Sequence, residues 1–175
     1  MSNHEDKIIL PFVHMLMGLN REKPKKCMRM IDNGAANNVD IFEAKLKILG
    51  GTWRIHRTVN ARDINKARKW LMIELINHPE KASYMESLWR TALLQKECIF
   101  GQKYFMLDID TENIQELKEI ENRIPKDLRI RKFKSPKGWH YIVKPFDTRS
   151  VCELDYVALI RDGYYFIKEV IEDDK

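Results

Sequence analysis

Two aspartates of this sequence, Asp108 and Asp110, come at the end of an apolar run over residues 103–107. If the run is a β-strand, side chains two positions apart point to the same face, so both carboxylates point in one direction. Like charges this close repel each other unless a cation lies between them, and carboxylate oxygens suit Mg²⁺ or Mn²⁺. The pair therefore predicts a divalent-metal site of the kind used in phosphoryl transfer. The structural alternative is that Asp110 only leads into the next helix and Asp108 is solvated.

A second group of chemically active residues occupies positions 135–140, with the sequence SPKGWH. On a tight turn at Gly138, Ser135 and Lys137 can offer backbone N–H groups, a hydroxyl and an ammonium to a phosphate. The imidazole of His140, at the start of a return strand, can donate to another phosphate oxygen. The segment predicts binding of a nucleoside triphosphate. The alternative is an exposed hairpin turn followed by a packed strand histidine.

The strand that precedes this turn is basic. Its cationic residues are Arg129, Arg131, Lys132 and Lys134. Clustered lysine and arginine side chains bind the phosphates of single-stranded nucleic acids, with an affinity that falls as salt rises. We therefore expect these four side chains to contact a nucleic-acid strand.

The two motifs occur in order on neighbouring predicted elements, and together they resemble a known family. Residues 105–110 (FMLDID) and 135–143 (SPKGWHYIV) are similar to the metal and nucleotide motifs of the archaeo-eukaryotic primase superfamily, the primase-polymerases. The resemblance extends over roughly residues 52–170. It implies template-directed nucleotidyl transfer, in which Mg²⁺ or Mn²⁺ helps to join nucleoside triphosphates on a single-stranded DNA or RNA template.

The resemblance also implies a role for individual residues. The implied metal ligands, which are also the catalytic residues, are Asp108, Asp110 and a third carboxylate on a later strand, for which Asp155 is the nearest candidate. The implied nucleotide-binding residues are Ser135, Lys137, Gly138 and His140. The chain resembles a minimal catalytic unit of the sort that a phage or plasmid carries, and we expect replication proteins to act with it in trans.

The C-terminal half must position these residues, and its pattern predicts strands with one helix. Asp162-Gly163 is a preferred hairpin turn, so the last two strands are expected to pair with each other. The predicted elements are a strand over 103–107, a helix that Thr111 caps and that stops before Pro125, strands over 128–133 and 139–143 joined as a hairpin, and strands over 156–160 and 164–170.

The N-terminal half is expected to be mainly helical. Apolar residues over 8–19 recur at helical spacing, and turn signals follow at Asn33-Gly34. Residues 41–49 and 52–59 read as strands joined at Gly50-Gly51, with a helix ending at Gly50 as the alternative. Two helices follow, the first ending at His78-Pro79 and the second capped by Ser83. We therefore divide the chain into N-terminal helices and a connector, 1–38, and a primase-polymerase-like domain, 39–175.

Length and composition limit the class of protein. The chain has 175 residues, of which 44% are hydrophobic and 33% charged, so wholesale disorder is excluded. Its apolar runs are far shorter than the roughly 20 residues of a membrane span. Three cysteines at wide spacing fit neither a disulfide framework nor a zinc cluster. No secretory signal is recognised, so the expected compartment is the cytoplasm, or the host cytoplasm for a viral protein.

The predicted fold is of the α/β class, with the N-terminal helical and hairpin part packed on an RRM-like C-terminal sheet. The formal charge of +5 permits a nucleic-acid partner without requiring one. Two other functions remain open: a catalytically inactive protein of the same fold that binds single strands, and a viral interaction or inhibitor protein. The enzyme hypothesis makes a geometric demand, namely that Asp108, Asp110 and His140 face one cavity.

Overall fold

Two antiparallel β-sheets flanked by helices make up the computed structural model, which describes residues 12–23 and 25–171. The expected mixed α and β class is confirmed. The strands are β1 (Phe12–Asn20), β2 (Cys27–Asp32), β3 (Trp53–Thr58), β4 (Arg62–Asp63), β5 (Phe105–Ile109), β6 (Arg129–Lys134), β7 (Trp139–Val143), β8 (Val157–Ile160) and β9 (Tyr164–Val170). The helices are α1 (Asn38–Ile48), α2 (Ile64–Asn77), α3 (Met85–Leu93), α4 (Ile114–Arg123) and α5 (Arg149–Cys152).

The first sheet has the strand order β2-β1-β3-β9, with β4 paired to β1. The predicted N-terminal helix is wrong from residue 12 onward, because residues 12–20 form β1 and residues 27–32 form β2. The part of that prediction that falls on residues 8–11 lies outside the described residues. Both faces of β1 are covered: Met15 packs toward α2 and α3, and Leu16 packs toward α1. A strand buried on both faces carries apolar residues at nearly every position and therefore imitates helical spacing.

The segment after β2 follows the helical alternative rather than the predicted hairpin. Residues 38–48 form α1, which covers one face of the first sheet with Phe42 and Leu46. The two glycines that suggested a hairpin turn instead follow the end of the helix. Gly50 and Gly51 have φ angles of 67° and 80°, the left-handed conformation that ends many helices.

The two helices predicted after β3 are confirmed as α2 and α3. Asp63 caps α2, since its carboxylate accepts the N–H groups of Asn65 and Lys66. The predicted cap of α3 is wrong, because Ser83 lies in a preceding 3₁₀ turn and its hydroxyl donates to the carbonyl of Glu80. None of the described helices is long and apolar enough to cross a membrane.

The second sheet has the strand order β6-β7-β5-β8 and carries the candidate site residues Asp108 and His140. The predicted β6–β7 hairpin is confirmed, with Phe133 opposite His140. The predicted helix is also present as α4, although its cap is Asn113 rather than Thr111. The buried side chains of α4 pack on one face of the second sheet. The other face of that sheet packs against the first sheet.

The last two strands correct a further expectation. β8 and β9 do not form a hairpin, because β8 pairs with β5 in the second sheet whereas β9 pairs with β3 in the first. The segment between them crosses from one sheet to the other. Asp162 in this crossing accepts hydrogen bonds from both terminal guanidinium nitrogens of Arg62, with N···O distances of 2.7 and 3.0 Å. That long-range ion pair links the crossing, where the sequence pattern predicted a local turn, to β4.

Candidate functional site

A cavity of about 170 Å³ opens where the two sheets meet, and it brings the two sequence motifs together. Asp108 lies on β5 and Asp110 directly after it, whereas Ser135 and Lys137 come from the β6–β7 turn and His140 from β7. The expectation that both motifs face one cavity is therefore confirmed. The lining residues are Arg54, His56, Asp108, Asp110, Ser135, Pro136, Lys137, His140 and Phe166.

Strand register places the first aspartate in the cavity. β5 pairs antiparallel with β7, and Asp108 lies directly opposite His140. Its neighbours Leu107 and Ile109 are fully buried on the other face, in the core beneath α4. The backbone N–H of Asp110 donates to the carbonyl of Tyr156 at 2.9 Å, which continues the pairing just beyond the strand end. Both carboxylates thus reach the same space, as alternation along a strand requires.

His140 is hydrogen-bonded through both ring nitrogens and is only 7% exposed. The backbone N–H of Phe166, on β9 of the other sheet, donates to Nδ1 at 3.2 Å. A backbone N–H can only donate, so Nδ1 carries no proton and the ring proton lies on Nε2. Nε2 lies 3.1 Å from Oδ1 of Asp108, to which it donates. The first sheet therefore fixes the tautomer and directs the Nε2–H donor toward Asp108.

The β6–β7 turn is held close to the end of β5. The backbone N–H of Ser135 donates to the carbonyl of Gly138 at 2.9 Å, which closes the turn. A Cβ on Gly138 would lie 2.0 Å from the carbonyl oxygen of Ile109 and 2.8 Å from the backbone nitrogen of Thr111. Gly138 is not among the cavity's lining residues. Its visible role is to let the turn approach the backbone that flanks Asp110.

The first sheet contributes three lining residues that sequence reasoning did not assign to the site: Arg54, His56 and Phe166. Alternation along β3 puts Arg54 and His56 on one face, which the sequence already showed. What it lacked was the pairing of β3 with β9, which carries Phe166 against His140. Burial lowers the pKa of His56, and the neighbouring His140 lowers it further.

Residues of both charge signs line the cavity. Asp108 and Asp110 supply the acidic lining, and Lys137 and Arg54 supply the basic lining. Arg54 also contacts Glu169 at 3.2 Å, whereas no ion pair among the described residues involves Lys137. Such a site can hold a cation on its acidic side and a phosphate on its basic side.

The basic strand does not form one surface with this cavity. Alternation along β6 turns Lys132 and Lys134 toward the α4 face, where they pair with Glu121 at 3.0 Å and Glu112 at 2.5 Å. Arg129 donates to the carbonyl of Ile124 just beyond the end of α4. These three cations are thus engaged within the protein, away from the site.

Arg131 lies on the other face of β6. Its guanidinium is 5.2 Å from the ring centre of Phe133, and that ring stacks on Tyr165 with 4.6 Å between the centroids. It lines a separate cavity between the sheets rather than the one that holds Asp108. The four predicted nucleic-acid contacts therefore point in different directions.

The structure does not bring the third predicted carboxylate to the site. Asp155 is exposed in the turn between α5 and β8, and it is not among the residues that line the cavity. Its strand begins only at Val157, so alternation does not direct its side chain inward. Within residues 12–23 and 25–171, no group of three or more histidine, cysteine, aspartate or glutamate side chains could hold a metal ion. The acidic side of the cavity consists of Asp108 and Asp110.

No family model, no curated protein and no solved structure matches the chain.

Proposed function

We propose that this protein is a template-directed nucleotidyltransferase of the primase-polymerase type, which uses divalent metal ions to join nucleotides on a single-stranded template. One observation carries the proposal: the two motifs, which lie on different strands of the second sheet, line one cavity. The carboxylates of Asp108 and Asp110 face a donor set formed by Ser135, Lys137 and His140. A metal-bound nucleoside triphosphate needs both sides, because its phosphates bind cations of the protein and of the solvent at once.

The connectivity of the second sheet supports the same proposal at the level of the fold. The chain runs β5-α4-β6-β7-α5-β8, and the strands lie in the order β6-β7-β5-β8. A β-α-β-β-α-β unit of this kind is the ferredoxin-like arrangement. It agrees with the RRM-like catalytic sheet that the family resemblance implies.

The two aspartates fit a divalent metal ion by chemistry and by position. Carboxylate oxygens are preferred ligands of Mg²⁺ and Mn²⁺, which retain water and phosphate oxygens as their remaining ligands. The Asp108 side chain is 33% exposed, so solvent ions can reach it. When bound, the metal would reduce the charge on the triphosphate and activate a 3′-hydroxyl. Asp108 and Asp110 would hold it.

His140 and the turn supply the phosphate side. His140 Nε2–H donates to Asp108 in this structure and could donate to a phosphate oxygen instead. Oδ1 of Asp108 would then be available to a cation. The Ser135 hydroxyl and the Lys137 ammonium add donors from the turn. Nδ1 stays fixed by Phe166, so the imidazole need not rotate to change its acceptor.

A neighbouring cavity supports a polymeric substrate. It measures about 340 Å³ and is lined by Leu19, Asn20, Arg21, Arg54 and His56. It shares Arg54 and His56 with the candidate site, so the two cavities adjoin at these side chains on the first sheet. The cations Arg21 and Arg54 suit the phosphates of a template strand that would lie beside the aspartates.

Extension of a primed single-stranded template by the purified protein tests this proposal. With Mn²⁺ and nucleoside triphosphates we expect extended products. Asp108→Asn and Asp110→Asn should each reduce the yield by about 100-fold or more, since a metal contributes several kcal/mol to such a step. Asp127→Asn, an exposed aspartate outside the cavity, is the matched control and should retain the yield. Absence of products with both Mg²⁺ and Mn²⁺ would contradict the proposal.

A second function is favoured by the small number of carboxylates at the cavity. With Asp108 and Asp110 as its acidic residues, the site could serve a protein that binds single strands without chemistry. That protein would bind oligonucleotides equally well in Mg²⁺ and in a chelator, and Asp108→Asn would not weaken the binding. Nucleotide binding that requires the metal would reject it.

A further inference from the structure

A larger cavity lies on the opposite face of the second sheet, at the other end of β5. It measures about 510 Å³, within the range of sites for small ligands. Phe105 lines it and Asp108 lines the candidate site, and since these residues are three positions apart on one strand they point to opposite faces. The lining residues are Leu94, Lys96, Lys103, Phe105, Phe146, Thr148, Leu159, Arg161 and Asp162.

One wall of this cavity is apolar and well supported. Phe105, Phe146 and Leu159 are partly buried and pack against the core cluster beneath α4. The ammonium of Lys103 lies over the ring of Phe105, with Nζ 5.5 Å from the ring centre, so the cation and the ring can contact one ligand together. Two aromatic side chains held by a packed core are suited to contact a flat, apolar ring.

The rest of the cavity is positively charged. Lys96, Lys103 and Arg161 line it, and no ion pair among the described residues involves any of them. The one carboxylate in the lining, Asp162, is already engaged by Arg62 through two hydrogen bonds. The carboxylate charge is therefore compensated from within the protein, and three cations remain to attract an anion.

We propose that this cavity binds a free nucleotide, with its base against Phe105 and Phe146 and its phosphates on Lys96, Lys103 and Arg161. Stacking on aromatic rings and charge-assisted hydrogen bonds from lysine and arginine are the two interactions that a nucleotide needs. Neither side of the cavity presents a free carboxylate for a metal ion, so this binding does not require divalent metal. The site is separate from the proposed catalytic cavity and does not depend on the proposed function.

Equilibrium dialysis with ATP in the presence of a chelator tests this site by itself, because the Asp108 and Asp110 site is expected to need metal. We expect saturable binding to the wild-type protein. The double variant Lys103→Gln with Arg161→Gln should weaken it by about tenfold or more, as hydrogen bonds to charged groups contribute about 1.5–3 kcal/mol. Lys69→Gln on α2, an exposed lysine that is not among the lining residues, is the matched control and should bind like wild type.

Two further measurements decide the outcome. ATP should slow backbone hydrogen exchange at residues 103–105 and 159–161 in chelator, and Asp108→Asn should leave this protection unchanged. Lack of ATP binding in chelator, or equal binding by the double variant, would overturn the proposal. Displacement of ATP by short oligothymidylate at low concentration would also overturn it, since the occupant would then be a single strand. If the wild-type protein does not extend a template but ATP still slows hydrogen exchange at these residues, only the proposed function is rejected.

Discussion

Gly138 shows how a single residue joins the two motifs. Its Cα lies so close to the backbone of Ile109 and Thr111 that any side chain must push the turn away from the end of β5. We therefore expect Gly138→Ala to lower the free energy of unfolding by about 1–3 kcal/mol, the usual range for overpacking. Urea denaturation measures this. Because Ser135 and Lys137 would move with the turn, metal-dependent nucleotide binding should weaken as well, and a variant with wild-type stability and binding would contradict the close approach.

Two half-buried histidines make stability depend on pH. Burial lowers the pKa of His14, helped by the charge of Arg57, and burial likewise lowers the pKa of His56. Between the lowered values and the unfolded value of about 6.5, the unfolded chain binds more protons than the folded one. The stabilisation that the two unprotonated histidines provide is therefore complete above the unfolded value of about 6.5. It is lost as the pH falls through the lowered pKa of the folded protein.

Urea denaturation at about pH 7.5 and pH 5.5 checks this dependence above the range in which carboxyl groups titrate. Wild type should be less stable at the lower pH. His14→Gln and His56→Gln should each reduce the difference between the two pH values, because glutamine does not titrate. An unchanged difference in both variants would assign the pH dependence to other groups.

At the scale of single elements, β6 places its positively charged side chains on different faces, although they are close together in the sequence. Lys132 and Lys134 pair with glutamates on the α4 side, and Glu121 has its pKa lowered by hydrogen bonds from Tyr141 and Lys132. We expect Lys132→Gln with Lys134→Gln to change the affinity for a single-stranded oligonucleotide by less than twofold. Arg54→Gln with Lys137→Gln should weaken binding and reduce its salt dependence, since these cations line the cavity. Fluorescence anisotropy across a salt series compares the two pairs.

Elements whose structure depends on residues close in sequence were predictable. Elements whose structure depends on packing against distant segments were not. The alternation around Asp108 and the β6–β7 hairpin depend on neighbouring residues, so the sequence contained the relevant information. By contrast, β1 has core on both faces and its apolar spacing matches a helix as well as a strand. Gly50-Gly51 likewise serves a hairpin or a helix end, and only the packing of α1 on the first sheet decides between them.

At the scale of the whole molecule, the site exists only because two sheets meet. The predicted motifs lie on the second sheet, while Arg54, His56 and Phe166 come from the first. The contact is built from aromatic and aliphatic side chains, including the stacked pair Phe133 and Tyr165. Sequence spacing predicts one side of such a site and cannot supply the other, because the apposition of the sheets depends on contacts between distant segments.

The crossing between β8 and β9 is expected to control this assembly. Asp162 accepts hydrogen bonds from Arg62 and from Asn60, whose side chain also exchanges hydrogen bonds with the backbone of Tyr104. The Arg62 side chain is 2% exposed, so removal of its partner leaves a buried, unpaired charge. Asp162→Ala should lower the free energy of unfolding by about 3–5 kcal/mol, measured by urea denaturation. Asp127→Ala, an exposed aspartate, is the control and should change it little.

A double variant separates this charge effect from a simple loss of contacts at the crossing. Arg62→Met with Asp162→Ala removes both charges and leaves an apolar side chain of similar length in the buried position. Since a buried ion pair replaced by apolar groups often costs little, the double variant should be more stable than Asp162→Ala alone. If both proteins lose the same stability, the crossing is held by its backbone and packing, and the ion pair is not what joins the sheets.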